Sequence, residues 1–342
     1  MSKYFKILFF LFTTFVVQKS HAQDLHFSQY FNAPLLINPA NTGFNPDFDY
    51  RVGGNYRNQW SSISNNPYKT MSIWADAQLF TERFDESWVG VGGAFLQDVA
   101  GSGNLTSTRA YASIAYHQML GYNGLLSAGF NIGFTQKRID LSKLTFNNQW
   151  NGNFFDISIP SNEPFVYSST SYFNLQAGLN YALFVNDNVY LSTGISVSNI
   201  NKPNESFFNK NNINTKVNSR YTFFADATIR VNNVWILNPN FYYSTIGTAK
   251  EIVLGGTLQR DLSAENNGSL QFLLGGYYRL SDAMVPVIGF DVKNFKVTFS
   301  YDATSSSLKN YNQSRGAYEV SIVKSGLYKG KDKNIKCPRV RF

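Results

Sequence analysis

Between residues 173 and 183 the chain alternates without a break. Phe173, Leu175, Ala177, Leu179, Tyr181 and Leu183 are interleaved with Asn174, Gln176, Gly178, Asn180 and Ala182. A period of two belongs to a β-strand, whose successive side chains point to opposite faces. One face of this strand suits lipid and the other a wet interior. The pattern recurs through Leu126, Ala128, Phe130, Ile132 and Phe134, with Ser127, Gly129, Asn131 and Gly133 between them. From residue 48 onward such segments of about ten residues are separated by Asn, Gly, Ser and Asp clusters, the signature of a transmembrane barrel.

The spacing predicts strands near residues 48–60, 68–80, 88–98, 105–117, 124–138, 171–185, 189–198, 219–231, 234–244, 250–260, 269–280, 284–292, 295–303 and 315–324, fourteen in all. An even count puts both ends of the barrel in the periplasm, with short turns there and longer loops outside. The long connections 139–170 and 199–218 fall at outer positions, and the tight turns Asn186-Asp187-Asn188, Asn232-Asn233 and Lys293-Asn294 at periplasmic ones. Two connections break the rule: 261–268 is long for the periplasmic side, and Ser281-Asp282-Ala283 is short for the outer one.

A soluble sandwich or propeller is the competing fold. Aromatic residues make up 16% of the chain against 15% charged residues, an aromatic load that favours the membrane. Tyr50, Tyr56, Tyr116, Tyr181, Tyr221 and Tyr301 lie toward segment ends, where girdles at the two interfaces would sit. The expected fold is all-β: a transmembrane antiparallel β-barrel of about 14 strands over residues 48–324, with a short N-terminal plug-like segment and a basic periplasmic tail.

Residues 1–22 read as a signal peptide: Lys3 and Lys6, an apolar core from Ile7 to Val17 too short to span a bilayer, and a small-x-small cleavage site at Ser20-His21-Ala22. After it no apolar run approaches the roughly 20 residues of a membrane helix. Lys3, Lys6 and Lys19 leave with the signal, taking the formal charge from +8 to +5. The basicity that remains sits at the end of the chain, in Lys324, Lys329, Lys331, Lys333, Lys336, Arg339 and Arg341 against Asp332. The tail, 325–342, is thus either a solvated terminus or an electrostatic contact with periplasmic parts or anionic headgroups. No basic face interleaved with stacking aromatics marks the domain, so nucleic acid is not an expected partner.

Little in the chain promises catalysis. There are three histidines, one in the signal, and a single cysteine, Cys337. Gly90-Val91-Gly92-Gly93 lacks the third glycine of a nucleotide fingerprint and lies in an alternating strand. His117 has no nucleophile motif to serve, and Asp47, Asp49 and Asp187 lack calcium-loop spacing. The expectation is a non-enzyme with no cofactor and no metal.

The stretch Phe27-Ser28-Gln29-Tyr30, followed by Leu35-Leu36-Ile37-Asn38-Pro39-Ala40-Asn41-Thr42-Gly43, resembles the start of the PorP/SprF family of type IX secretion system outer-membrane proteins of Bacteroidetes. Arg57-Asn58-Gln59-Trp60 and Cys337-Pro338-Arg339 resemble further marks of it, although Val340-Arg341-Phe342 prolongs the usual ending. The resemblance implies an outer-membrane barrel of a Gram-negative bacterium. It would work with other type IX components in secretion or surface anchoring of cargo with a C-terminal sorting domain, and in some members in gliding motility. The alternative is an outer-membrane diffusion or uptake channel.

Two groups of residues are candidates for that work. Residues 23–47 precede the first strand on the periplasmic side, and Pro34 and Pro39 keep them out of the sheet. Phe27, Tyr30, Phe31, Leu35, Leu36 and Ile37 need apolar shelter, while Asn32, Asn38 and Asn41 can bond irregular backbone. A partial plug in the barrel's mouth or lumen is expected, with a peptide lying on a periplasmic partner as the alternative. Trp150, Phe154 and Phe155 in one long outer loop, and Phe207 and Phe208 in the other, are candidate partner-binding anchors. The alternative for them is packing on each other or over the pore.

Overall fold

The computed structural model describes residues 27–45, 48–81, 83–84, 86–208 and 215–328. The expected signal peptide, Cys337 and nearly all of the basic tail lie outside the described residues.

Fourteen strands close into one antiparallel barrel. In chain order they are β1 (Tyr50–Gln59), β2 (Tyr68–Leu79), β3 (Ser87–Ala100), β4 (Leu105–Leu120), β5 (Gly124–Arg138), β6 (Ser169–Asn186) and β7 (Val189–Ser198). The second half comprises β8 (Arg220–Arg230), β9 (Trp235–Ile246), β10 (Ala249–Asp261), β11 (Leu270–Arg279), β12 (Ala283–Val292), β13 (Phe295–Thr304) and β14 (Arg315–Gly326). Each strand pairs with its neighbours in sequence, and β1 pairs with β14 from Tyr50↔Gly326 to Gln59↔Ala317, so no edge is left open. Among the described residues no helix is long and apolar enough to cross a membrane; the strands do the crossing.

The strand count and positions follow the alternation, with ends shifted by a few residues. The two connections that break the length rule are real. Residues 262–269 form an extended periplasmic turn held by Asp261, whose Oδ1 accepts from the Ser263 amide at 2.8 Å and whose Oδ2 accepts from the Gly268 amide at 2.8 Å. A carboxylate that satisfies several amides replaces the hairpin geometry a two-residue turn would provide.

Outward faces carry Ile73, Ile114, Ile132, Phe173, Ile195 and Ile288, all exposed on the isolated chain. In a membrane this apolar band meets acyl chains, the one solvent in which a strand's apolar face costs nothing to expose. The inward faces are not uniformly wet, contrary to the expectation. Phe224, Tyr242, Val253, Tyr277, Val285 and Val287 form one buried apolar patch inside the barrel; Trp88, Met119, Leu125 and Phe184 belong to another, with Phe44. These patches exist because something apolar occupies the lumen.

Candidate functional site

That occupant is the segment from Phe27 to Phe44. Its prolines explain its form: Pro34 opens a single helical turn, Pro34–Ile37, and Pro39 opens a 3-10 turn, Pro39–Asn41. A proline fits the first position of such turns because its missing N–H would be unpaired there in any case. Short turns replace strand backbone, and Asn side chains supply the hydrogen bonds that a ladder would otherwise provide.

The segment threads the lumen rather than sitting at its periplasmic mouth. Gly43 lies near the periplasmic ends of β2 and β3, where its carbonyl accepts from Gln78 Nε2 and Trp88 Nε1, each at 3.0 Å. Ser28 and Gln29 lie toward the outer ends of β11, β13, β14 and β1. There the Ser28 and Gln29 amides donate to the two oxygens of Glu319 at 2.8 and 3.0 Å. Ser28 Oγ donates to Asp302 Oδ2 at 2.8 Å and accepts from Arg57 Nη1 at 2.7 Å and Arg279 Nη1 at 3.1 Å. Arg57 and Arg279 both reach Asp302, at 2.8 and 2.7 Å. Two guanidiniums and two carboxylates offset one another in this buried cluster, which a single uncompensated charge could not enter at tolerable cost.

On the opposite wall the anchor is Asn38, whose side chain is fully buried. Its Oδ1 accepts from the Ala40 amide at 2.9 Å, and its Nδ2 donates to the carbonyls of Leu179 at 2.9 Å and Ile195 at 3.2 Å. Ser196 Oγ donates to the Ile37 carbonyl at 2.7 Å, and Asn180 Nδ2 to Asn41 Oδ1 at 2.7 Å. Glu319 stands on β14 and Ile195 on β7, seven strands apart in a ring of fourteen and therefore diametrically opposed. The segment crosses the pore from wall to wall.

The remaining candidates are placed by apolar contact. Tyr30, Phe31 and Ile37 pack on the patch around Tyr242 and Tyr277, with Phe31 stacked on Tyr277 at 5.0 Å and the Tyr30 ring tilted against Tyr242 at 4.8 Å. Leu35 and Ala33 are buried with Trp74 and Ala94, Leu36 packs on the same cluster, and Trp74 Nε1 donates to the Asn32 carbonyl at 3.0 Å. Phe27 is buried and borders a cavity on the outer side of the segment, with Arg109, Arg220 and Glu251 around it. Pro39 approaches the wall at Gly129, where a Cβ would lie 2.3 Å from its carbonyl carbon.

Two other wall glycines are required by the same closeness. A Cβ on Gly90 would lie 1.9 Å from the Thr42 carbonyl oxygen, and one on Gly178 would lie 1.9 Å from Asn38 Oδ1. Small residues in the Gly90-Val91-Gly92-Gly93 stretch thus make room for the plug. His117 is buried beside them: Nε2 donates to the Thr42 carbonyl at 2.8 Å, and Nδ1 accepts from Ser127 Oγ at 2.7 Å. Among the described residues no group of acidic, histidine or cysteine side chains could hold a metal ion.

The outer loops pair with each other. The Phe207 carbonyl accepts from the amides of Val166 and Tyr167 at 3.1 and 3.0 Å, and Phe208 stacks on Phe165 at 5.1 Å. Glu205 joins the pair to the barrel rim through Lys137 at 2.7 Å and Tyr172 at 2.7 Å. Trp150 and Phe155 form a separate edge-to-face pair at 5.1 Å, and Phe154 stands 60% exposed next to them. Phe208 is exposed and Phe207 half-buried. In the loop between β5 and β6, Asp140 is held below the usual carboxylate range by the Ser142 hydroxyl, and Asp156 by the Ser158 hydroxyl. These local bonds give the long loop fixed turns.

Among solved structures the chain is similar to a deltaS2 mutant of the TodX monoaromatic hydrocarbon channel, at 11% identity over 85% of this chain and 93% of that one, with a TM-score of 0.50. It is also similar to a Pseudomonas aeruginosa FadL homologue, at 10% identity over 84% and 92% of the two chains, with a TM-score of 0.49. The likeness concerns the barrel fold alone. No curated protein matches the chain. The model of the type IX secretion system membrane protein PorP/SprF matches residues 19–323, plug and barrel together, and the chain belongs to that family of outer-membrane proteins.

Proposed function

We propose that the protein is a non-enzymatic partner or anchor in type IX secretion. It retains cargo bearing a C-terminal sorting domain at the cell surface, or passes it there, with other secretion components as periplasmic contacts and a link to gliding motility. The observation that carries this reading is the plug, fastened to opposite walls by Glu319 on one side and by the Leu179 and Ile195 carbonyls on the other. A lumen occupied in this way suits a docking platform better than a diffusion pore. The surface offered to cargo is the aromatic outer loops, since exposed aromatic anchors rimmed by polar groups suit protein interfaces.

The test is crosslinking of the tagged protein in intact cells, followed by outer-membrane purification and mass spectrometry. Recovery of a large surface protein with a sorting domain, or of other secretion components, is the expected result. Recovery of the barrel alone, with crosslinking proven on a known complex, contradicts it. Replacing Phe207 and Phe208 by Ser should abolish cargo retention without lowering barrel abundance; unchanged retention rules out the loop surface. A diffusion or uptake channel is the second reading, favoured by the cavities on both sides of the plug.

A further inference from the structure

The cavity on the outer side of the plug joins a polar wall to an apolar floor. Gln176, Ser198 and Arg220 pair with one another in register across β6, β7 and β8, and strand alternation turns all three side chains into the lumen. They border the cavity as a polar ledge, one inward position above Ser196, which holds the Ile37 carbonyl. The floor is the plug itself, through Phe27, Tyr30, Leu36 and Ile37. Tyr111 and Asn174 add to the wall, with Gly133 paired between them on β5. A Cβ on Gly133 would lie 2.6 Å from the Tyr111 ring, so this glycine lets the ring lie along the wall.

The cations of the cavity are already engaged. Arg220 donates to Ser244 Oγ at 2.7 Å and to Tyr242 Oη at 3.3 Å and lies 3.9 Å from Glu251, and Arg109 also has a partner. The groups left without partners among the described residues are neutral. Gln176 is 7% exposed and accepts from Asn131 Nδ2 at 3.1 Å, yet its own amide N–H groups meet no acceptor. The hydroxyls of Ser198 and Tyr111 make no hydrogen bond either, and that of Tyr30 is buried without one. Amide and hydroxyl groups shielded in this way cost free energy unless water or a ligand completes them. The cavity measures about 70 Å³, and at about 10–15 Å³ for each water it holds about five. One hexose ring with its hydroxyls displaces a similar number.

We propose that this cavity binds a neutral hexose unit entering from the outer side. The Gln176 amide donates to the sugar hydroxyls, Ser198 and Tyr111 donate to them or accept from them, and the carbon face of the ring packs on the aromatic floor of the plug. Sugar hydroxyls both donate and accept, which is what a ledge of amide and hydroxyl groups requires. An acidic sugar is disfavoured, because both arginines are engaged and Glu251 repels a carboxylate at low dielectric. The site does not depend on the secretion reading.

The test is saturation-transfer NMR on the full-length barrel in lipid nanodiscs, read against empty nanodiscs, with methyl glucoside, methyl galactoside, methyl mannoside and methyl glucuronide as probes. At least one neutral hexoside should give a saturable signal at least fivefold above that of the glucuronide at equal concentration. Tyr111→Phe, which removes a single hydroxyl, and independently Ser198→Phe, which fills the cavity, should each lower that signal at least threefold. Heat-modifiable migration of the barrel shows that both variants fold. Absence of a saturable signal from all three hexosides overturns the proposal. A signal that the glucuronide equals or exceeds overturns the neutral ligand, and one unchanged in the folded variants overturns the site.

Discussion

The Ser28 backbone amide donates to Oε2 of Glu319 across 2.8 Å, although 291 positions of chain separate the two residues. One belongs to the first described segment and the other to the last strand. The plug's outer anchor is therefore incomplete until β14 has paired with β1, and seating of the plug and closure of the barrel are coupled in one structure. Asp302 and Arg279, on β13 and β11, extend the dependence to the final third of the chain.

Removing the acceptor at this junction is expected to be costly. Glu319→Ala strands two amides and disturbs the charge balance around Arg57, a loss of about 3–5 kcal/mol by analogy with broken buried pairs. The melting temperature in detergent should fall clearly. Glu319→Gln keeps one acceptor oxygen and should fall between the two. An unchanged transition in the alanine variant would contradict the anchor.

Side chains added at the glycine wall should expel the plug. Gly90→Val and Gly178→Val each place atoms where the Thr42 carbonyl and Asn38 Oδ1 now lie. Limited proteolysis should then cut within residues 27–44 far faster than in the parent. Gly276→Ala is the control, because its added Cβ meets nothing within 4 Å, and its pattern should match the parent. Equal protection in all three chains would show that the plug does not need these glycines.

Asn38 offers a test by ranking. Asn38→Ala forfeits its bonds to Ala40, Leu179 and Ile195, at about 1–3 kcal/mol for each polar group left unpaired. Asn38→Asp keeps the size but turns a donor into an acceptor facing two carbonyls, so it should destabilise more than alanine does. Thermal melts that rank aspartate above alanine would contradict the geometry.

How much of this is legible in the sequence depends on distance along the chain. Strands such as Ser169–Asn186 follow from side-chain period alone, because the two faces meet different solvents. The plug segment is legible from Pro34, Pro39 and its aromatic density. Its path and anchors are not: Ser28 and Glu319 leave no local signal of their pairing, and Glu319 reads simply as one polar residue in an alternating strand. The glycines of β3 read as small wall residues without showing what they face. The loop pairing is invisible for another reason, since it is made by the Phe207 carbonyl, a group every residue possesses. Inward tyrosines such as Tyr277 make sense only once Phe31 is seen against them.

The paired loops should loosen independently of the barrel. Phe208→Ser or Phe165→Ser removes a stack of about 0.5–1.5 kcal/mol. Proteolysis of the loops at 139–168 and 199–208 should accelerate while the barrel's thermal transition stays put. The double variant should behave like either single one. Additive acceleration would mean that the two rings act separately.

The central claim is that residues 27–44 occlude the lumen, so the direct measurement is single-channel conductance of the purified, partner-free protein in planar bilayers, beside a variant lacking that segment. The deletion should give large, stable openings, provided its heat-modifiable migration shows a folded barrel, while the intact chain stays silent. Steady conductance from the intact chain at the level of the deletion would contradict the plug and shift the reading to a diffusion channel.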